Sequence, residues 1–163
     1  MTVKPIQETS KSDNAVIAVG AVGYVQATVR SWFAKLMEDV STRAAKGGKN
    51  AQVDIEVIVS EATKKIESDF AVISGKTKHS NAELTKTIEW AKGMVIQGST
   101  QVQAIGVQAV STGTLVKDTI HSQMSPLVEA TNTQIDTALS KCDSSVSIEI
   151  IQDDKVTSYT LCL

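Results

Sequence analysis

The chain has 163 residues, of which 42% are hydrophobic, 21% charged and only 4% aromatic, with a formal net charge of -2. Its mean hydropathy of -0.01 is that of one folding domain, since disorder needs lower hydropathy and a larger net charge. A pI near 5.7 argues against a nucleic-acid partner. Two cysteines and two histidines are too few for a disulfide scaffold or a structural zinc site. The expectation is a protein without cofactor or metal, and not an enzyme.

Residues 1–12 (MTVKPIQETSKS) are polar and read as an N-terminal arm. Residues 14–29 (NAVIAVGAVGYVQATV) carry no charge and imitate a secretory signal. Glu8 and Asp13 fall in the would-be basic region, and the stretch is shorter than the roughly 20 residues of a membrane span. It therefore predicts the start of a buried helix from Asp13 to about Lys46, stopped by Gly47-Gly48. Val22, Val25, Val29, Trp32, Leu36 and Val40 form its apolar stripe. Gly23, Ala27 and Ser31 make a ridge of small residues suited to close helix packing.

A second helix is expected over 51–73, through Ile55, Val59, Ala62, Ile66, Phe70 and Ile73. Gly75-Lys-Thr-Lys-His79 then reads as a loop. Gly75-Lys76-Thr77 resembles the end of a phosphate-binding loop, but the glycine that motif needs five residues earlier is Phe70. Ser80-Asn-Ala-Glu83 has the form of a capping box.

Beyond it, Leu84, Ile88, Ala91, Val95, Gly98, Val102, Ile105, Ala109, Thr112 and Val116 step by four and three, as in a coiled coil. A helix over 81–125 would run about 67 Å, against about 40 Å for a compact domain. It must bend near Gly98 or Gly113, or the molecule is a rod. Each interior glycine costs up to about 1 kcal/mol relative to alanine, so close approach of a neighbour at Gly98 and Gly106 is the expected compensation. Ser125-Pro126 predicts a further break, with a last helix over 126–141 through Leu127, Thr131, Ile135 and Leu139.

The tail changes period. Val146-Ser-Ile148-Glu-Ile150 and Val156-Thr-Ser-Tyr159-Thr-Leu161 alternate around Asp153-Asp154, which predicts a β-hairpin. Pairing Gln152 with Lys155 sets Val146, Ile148 and Ile150 opposite Leu161, Tyr159 and Thr157, an apolar face along both strands. The same register brings Cys162 opposite Ser145, near Cys142. The two cysteines are candidates for an internal disulfide or for a link between copies, or stay reduced in a cytosolic protein. His79 and His121 have no second histidine or cysteine at ligand spacing, and read as solvated or capping groups.

The organisation expected is an arm (1–12), an elongated bundle of three to four long helices (13–141) and a C-terminal hairpin tail (142–163). A two-stranded ribbon is marginal alone, so it must lie on the bundle or pair its edges with another chain. A self-assembling homo-oligomer is the expected function. Two alternatives stand beside it. One is a membrane-active helical protein, drawing on the uncharged stretches 14–29 and 93–116; the other is an intracellular helical binding module.

In its cysteine pair, helical body from Asn14 to Lys141 and hairpin Val146–Leu161, the chain resembles octin, the matrix protein of vacuolar crystals in mucoralean fungi. That resemblance implies a disulfide-linked oligomer packed into a gravity-sensing crystal in the vacuole lumen; without it, a cytoplasmic location is expected. The stretch Ala21-Val-Gly-Tyr-Val-Gln-Ala27 is also similar to the helices of bacterial R-body proteins. Either way the expected partner is the chain itself, with no nucleic acid and no membrane contact.

Overall fold

The computed structural model of the chain describes residues 11–77, 82–140, 145–152 and 155–162, with side chains over 22–75 and 84–140. Of the expected arm (1–12), residues 1–10 lie outside the described residues, while Lys11 and Ser12 already belong to the first helix; His79, the Ser80 cap, Cys142 and the side chains from Val146 to Cys162 also lie outside them. The fold is mainly α. Four helices occupy the chain in order: α1 (Lys11–Lys46), α2 (Ala51–Thr77), α3 (Ala82–Thr112) and α4 (Lys117–Ser140). At about 1.5 Å per residue they run from about 36 to about 54 Å, so the bundle is elongated.

Consecutive helices pack side by side and α4 returns to α1, an up-down-up-down arrangement. In addition α1 touches α3 across the middle. That diagonal is short because of two glycines. A Cβ on Gly98 would stand 2.7 Å from Phe33 Cζ of α1, and one on Gly106 would stand 2.5 Å from Val40 Cγ1 of the same helix. Thr131 of α4 closes over Gly98, and Ile55 of α2 over Gly106. The glycines thus sit where three helices meet, and close contact offsets their poor helix propensity. Around them lies one core, with Phe33, Leu36, Ile55, Ile66, Leu84, Ile88, Ile120, Met124, Ile135 and Leu139 fully buried.

The long helix breaks at Gly113 and not at Gly98. Gly113 adopts a left-handed φ of 73°, its N–H donates to Val110 O, and the Thr114 N–H donates to Ala109 O. This is a glycine C-cap that satisfies the last carbonyls of α3.

Four expectations need correction. The second helix does not stop at Ile73: α2 continues through Gly75 to Thr77, because an exposed glycine with helical φ weakens a helix without ending it. Ser125-Pro126 is no break either, since Pro126 lies inside α4. The proline is exposed, and so is Ser122, whose carbonyl loses its helical donor and is left to water. Starting α4 at Lys117 turns its face, so Val128 is buried and Leu127 is 37% exposed. Finally, the four-three spacing loosens after Val102: Ile105 is half-buried beside the buried Gly106, Ala109 is buried as expected, Thr112 is exposed, and Val116 is exposed in the turn beyond α3. A straight helix turns 3.6 residues per turn, and over several heptads it drifts off a 3.5-residue seam.

One polar contact couples the α2–α3 seam to pH. Ser74 Oγ donates to Glu89 Oε2 at 2.7 Å. This bond, assisted by Lys92, holds the Glu89 carboxyl below its ordinary pKa. A depressed carboxyl stabilises the fold above its ordinary range and loses that contribution as pH falls through the folded value. Ser74→Ala should therefore raise the Glu89 titration, followed by carboxyl NMR shifts. An unmoved titration would assign the depression elsewhere.

Candidate functional site

A large concavity lies between α1 and α2, and Trp32 is among its lining residues. The indole N–H donates to Ala62 O at 2.8 Å, and the ring meets Phe33 edge to face with centroids 5.0 Å apart. Trp32 thus ties α1 to α2 at the wall of an open groove of about 670 Å³. Tyr24, Leu36 and Ile58 supply its apolar wall, and Ala27, Thr28 and Ser31 its shallow side. Charges stand on its rim in pairs, Lys35 with Asp39 at 2.9 Å and Lys65 with Asp69 at 3.4 Å. The Asp39 carboxylate, by hydrogen bond and then by charge, raises the Lys35 pKa, so that amine stays protonated.

This placement corrects one sequence expectation. Ala27 is exposed and, with Ser31, lines the groove, so this part of the small-residue ridge opens onto the groove and does not meet a neighbouring helix. Gly98 and Gly106 do make the close approaches their positions suggested. Side-chain positions for Cys142, Cys162, Val146, Ile148, Ile150, Tyr159 and Leu161 lie outside the described residues.

His121 Nδ1 stands 3.5 Å from Ser125 Oγ on α4, but that hydroxyl also lies 3.2 Å from the His121 carbonyl and donates to it. With its proton held by the backbone, Ser125 is not poised as a nucleophile. Gly75-Lys76-Thr77 is helical, which removes the loop a phosphate would need. Among the described residues there is no group of three His, Cys, Asp or Glu side chains able to hold a metal. Nor is any helix among them long and apolar enough to cross a membrane. Asn132 Oδ1 is a buried acceptor without a hydrogen-bond partner in α4.

A second surface escaped the sequence reading. The turns 47–50 and 113–116 lie at the same end of the bundle, where Leu115 rests on Gly47. Leu115 and Val116 are 59% and 56% exposed, and Val53 in the first turn of α2 is 58% exposed. The signal was present as two large apolar residues, Leu115 and Val116, one position beyond Gly113-Thr114, where turns are usually polar. Reading 81–125 as one helix hid it.

No family model matches the chain, and neither a curated protein nor a solved structure matches it.

Proposed function

We propose that the protein is a non-enzymatic structural protein that assembles with copies of itself, and that residues 146–161 form a β-hairpin serving as its assembly element. What supports this reading is the two-residue alternation of the tail: pairing Gln152 with Lys155 sets Val146, Ile148 and Ile150 opposite Leu161, Tyr159 and Thr157. An apolar face along both strands calls for cover, and two-stranded pairing leaves both outer edges able to take another strand.

Cys142 and Cys162 add a covalent lock in an oxidising compartment, within a tail or between tails. On the likeness to octin the assembly is an ordered crystal in a vacuole. Weak contacts that hold two tails together present the second thiol at roughly millimolar effective concentration, so links between copies form readily.

Deleting residues 144–163 should leave a helical, soluble protein whose sedimentation shows a much smaller species. Gels run without reductant should show dimers or a ladder that collapses with dithiothreitol, and Cys162→Ser should abolish it. Large assemblies that survive the deletion would remove the hairpin from the interface, and a single monomer band without reductant would remove the disulfide.

The Trp32 groove favours a second reading, a helical binding module. Under it, the protein stays monomeric, and its tryptophan emission responds to a partner.

A further inference from the structure

We infer that α4 is a hinged strap: it detaches as one unit about the turn 113–116 while α1, α2 and α3 stay packed, and Arg30 of α1 is its clasp. The inference concerns a motion of the bundle and does not rest on the self-assembly reading. The other three helices close on each other without α4. α1 packs on α2, α2 packs on α3, and α1 meets α3 directly. At the Gly106 approach the nearest atoms come from Val40 of α1 and Ile55 of α2, none from α4. On its N-terminal side α4 joins this unit through one short turn.

α4 also carries the faults of the bundle. Pro126 removes a hydrogen bond from the middle of the helix. The buried hydroxyls find partners: Ser41 Oγ donates to Glu38 O, Ser99 Oγ to Ile96 O and Thr131 Oγ1 to Leu127 O. Asn132 is only 5% exposed, and its Oδ1 is the one buried side-chain atom of this kind without a partner among the described residues. Water reaches that acceptor once α4 detaches, so opening relieves the penalty of burying it. Ile120, Met124, Val128, Ile135 and Leu139 are buried and keep the closed form dominant. The open form is a minor state, as local openings of folded proteins are.

Hinge and clasp are both in place. Gly113 ends α3 in the left-handed region, with its N–H on Val110 O and the Thr114 N–H on Ala109 O, so motion beyond it leaves α3 intact. Leu115 and Val116 in the turn are more than half exposed, and Lys117 pairs with Glu38 beside the pivot. Towards the far end of α4, Arg30 pairs with Asp136 and stands 4.0 Å from Glu129. Asn132 lies three residues after Glu129 and four before Asp136, on the same side of the helix. Arg30 therefore spans the turn that bears the unpaired carbonyl. Arg30 and Glu129 are largely exposed, and such pairs are individually weak, which suits a contact that lets go. Opening uncovers Gly98, over which Thr131 closes.

The test is hydrogen exchange of the full chain in urea below its unfolding midpoint, followed by peptide mass spectrometry. Amides over 120–140 should exchange about tenfold faster than those over 29–40 and 95–109. Their dependence on urea should also be shallower, because a partial opening exposes less surface than global unfolding. Gly106→Ala strains contacts of α3 with Val40 and Ile55, which persist when α4 is open. It should therefore speed exchange over 29–40 and 95–109 severalfold and leave 120–140 unchanged. Equal rates and slopes in the native chain, or equal acceleration of all segments by Gly106→Ala, would overturn the strap. Asn132→Leu should slow exchange over 120–140 about tenfold, as removal of a buried unpaired acceptor implies. Arg30→Met, which keeps the stem and removes the charge, should speed it about threefold. An unchanged rate in either variant would overturn the role given to that residue.

Discussion

Gly106→Ala and Gly98→Ala should each destabilise the bundle, while Gly93→Ala should stabilise it, although all three residues lie in the same helix. In a helix interior alanine is favoured over glycine by about 1 kcal/mol. At Gly93 a new Cβ meets nothing within 4 Å, so that preference is realised. At Gly106 the Cβ would stand 2.5 Å from Val40 Cγ1, a β-branched side chain with little freedom to turn away. At Gly98 it would stand 2.7 Å from the Phe33 ring, which can tilt a little but is enclosed. Forcing a methyl group into a filled site typically costs about 1–3 kcal/mol, enough to outweigh the propensity gain. Thermal unfolding should rank the variants Gly93→Ala, wild type, Gly98→Ala, Gly106→Ala from most to least stable. The span between the extremes should be about 5–10 °C for a chain of this size. Gly98→Leu should cost several kcal/mol more. A Gly106→Ala protein as stable as wild type would mean that α1 and α3 do not approach as described.

The legible parts of the fold were those written in local patterns. Gly47-Gly48 stops α1 where expected, with both glycines at positive φ. The stripe from Val25 to Val40 and the stripe from Leu84 to Val102 are buried as their spacing implied. Gly98 and Gly106 stood out because an unfavourable residue in a strong helix asks for a compensating contact. What failed depended on neighbours. Pro126 and Gly75 have the local signature of breaks, yet the first is tolerated on a solvent-facing side and the second within an exposed last turn. The Gly23–Ala27 ridge has the spacing of a close helix contact. In the structure Ala27 of that ridge is exposed and lines the groove, whose wall also carries the Trp32 bond to Ala62 O. Nothing in the order of residues along α1 says which element its small side faces.

Among truncations the largest loss should follow Phe33→Ala, and its pairing with Gly98 makes the result diagnostic. Phe33 is fully buried in α1, edge-on to Trp32 and in contact with the Gly98 backbone of α3. Removing a buried phenylalanine ring typically costs about 3–5 kcal/mol through lost transfer energy and the cavity left behind. A melting temperature lower by about 10 °C or more is expected. The cavity would open against Gly98, the one place where a missing Cβ is waiting to be filled. Gly98→Ala should therefore change sign with its background: destabilising beside Phe33, neutral to stabilising beside Ala at that position. The double variant should be more stable than the sum of the single changes by about 1–3 kcal/mol, a coupling of the size found between residues in direct contact. Gly93→Ala, remote from Phe33 in the packing, should show no such coupling. Additivity at Gly98 and Phe33 would break the link between the glycine and the short α1–α3 diagonal, because a methyl group that does not compete with the ring cannot gain from its removal.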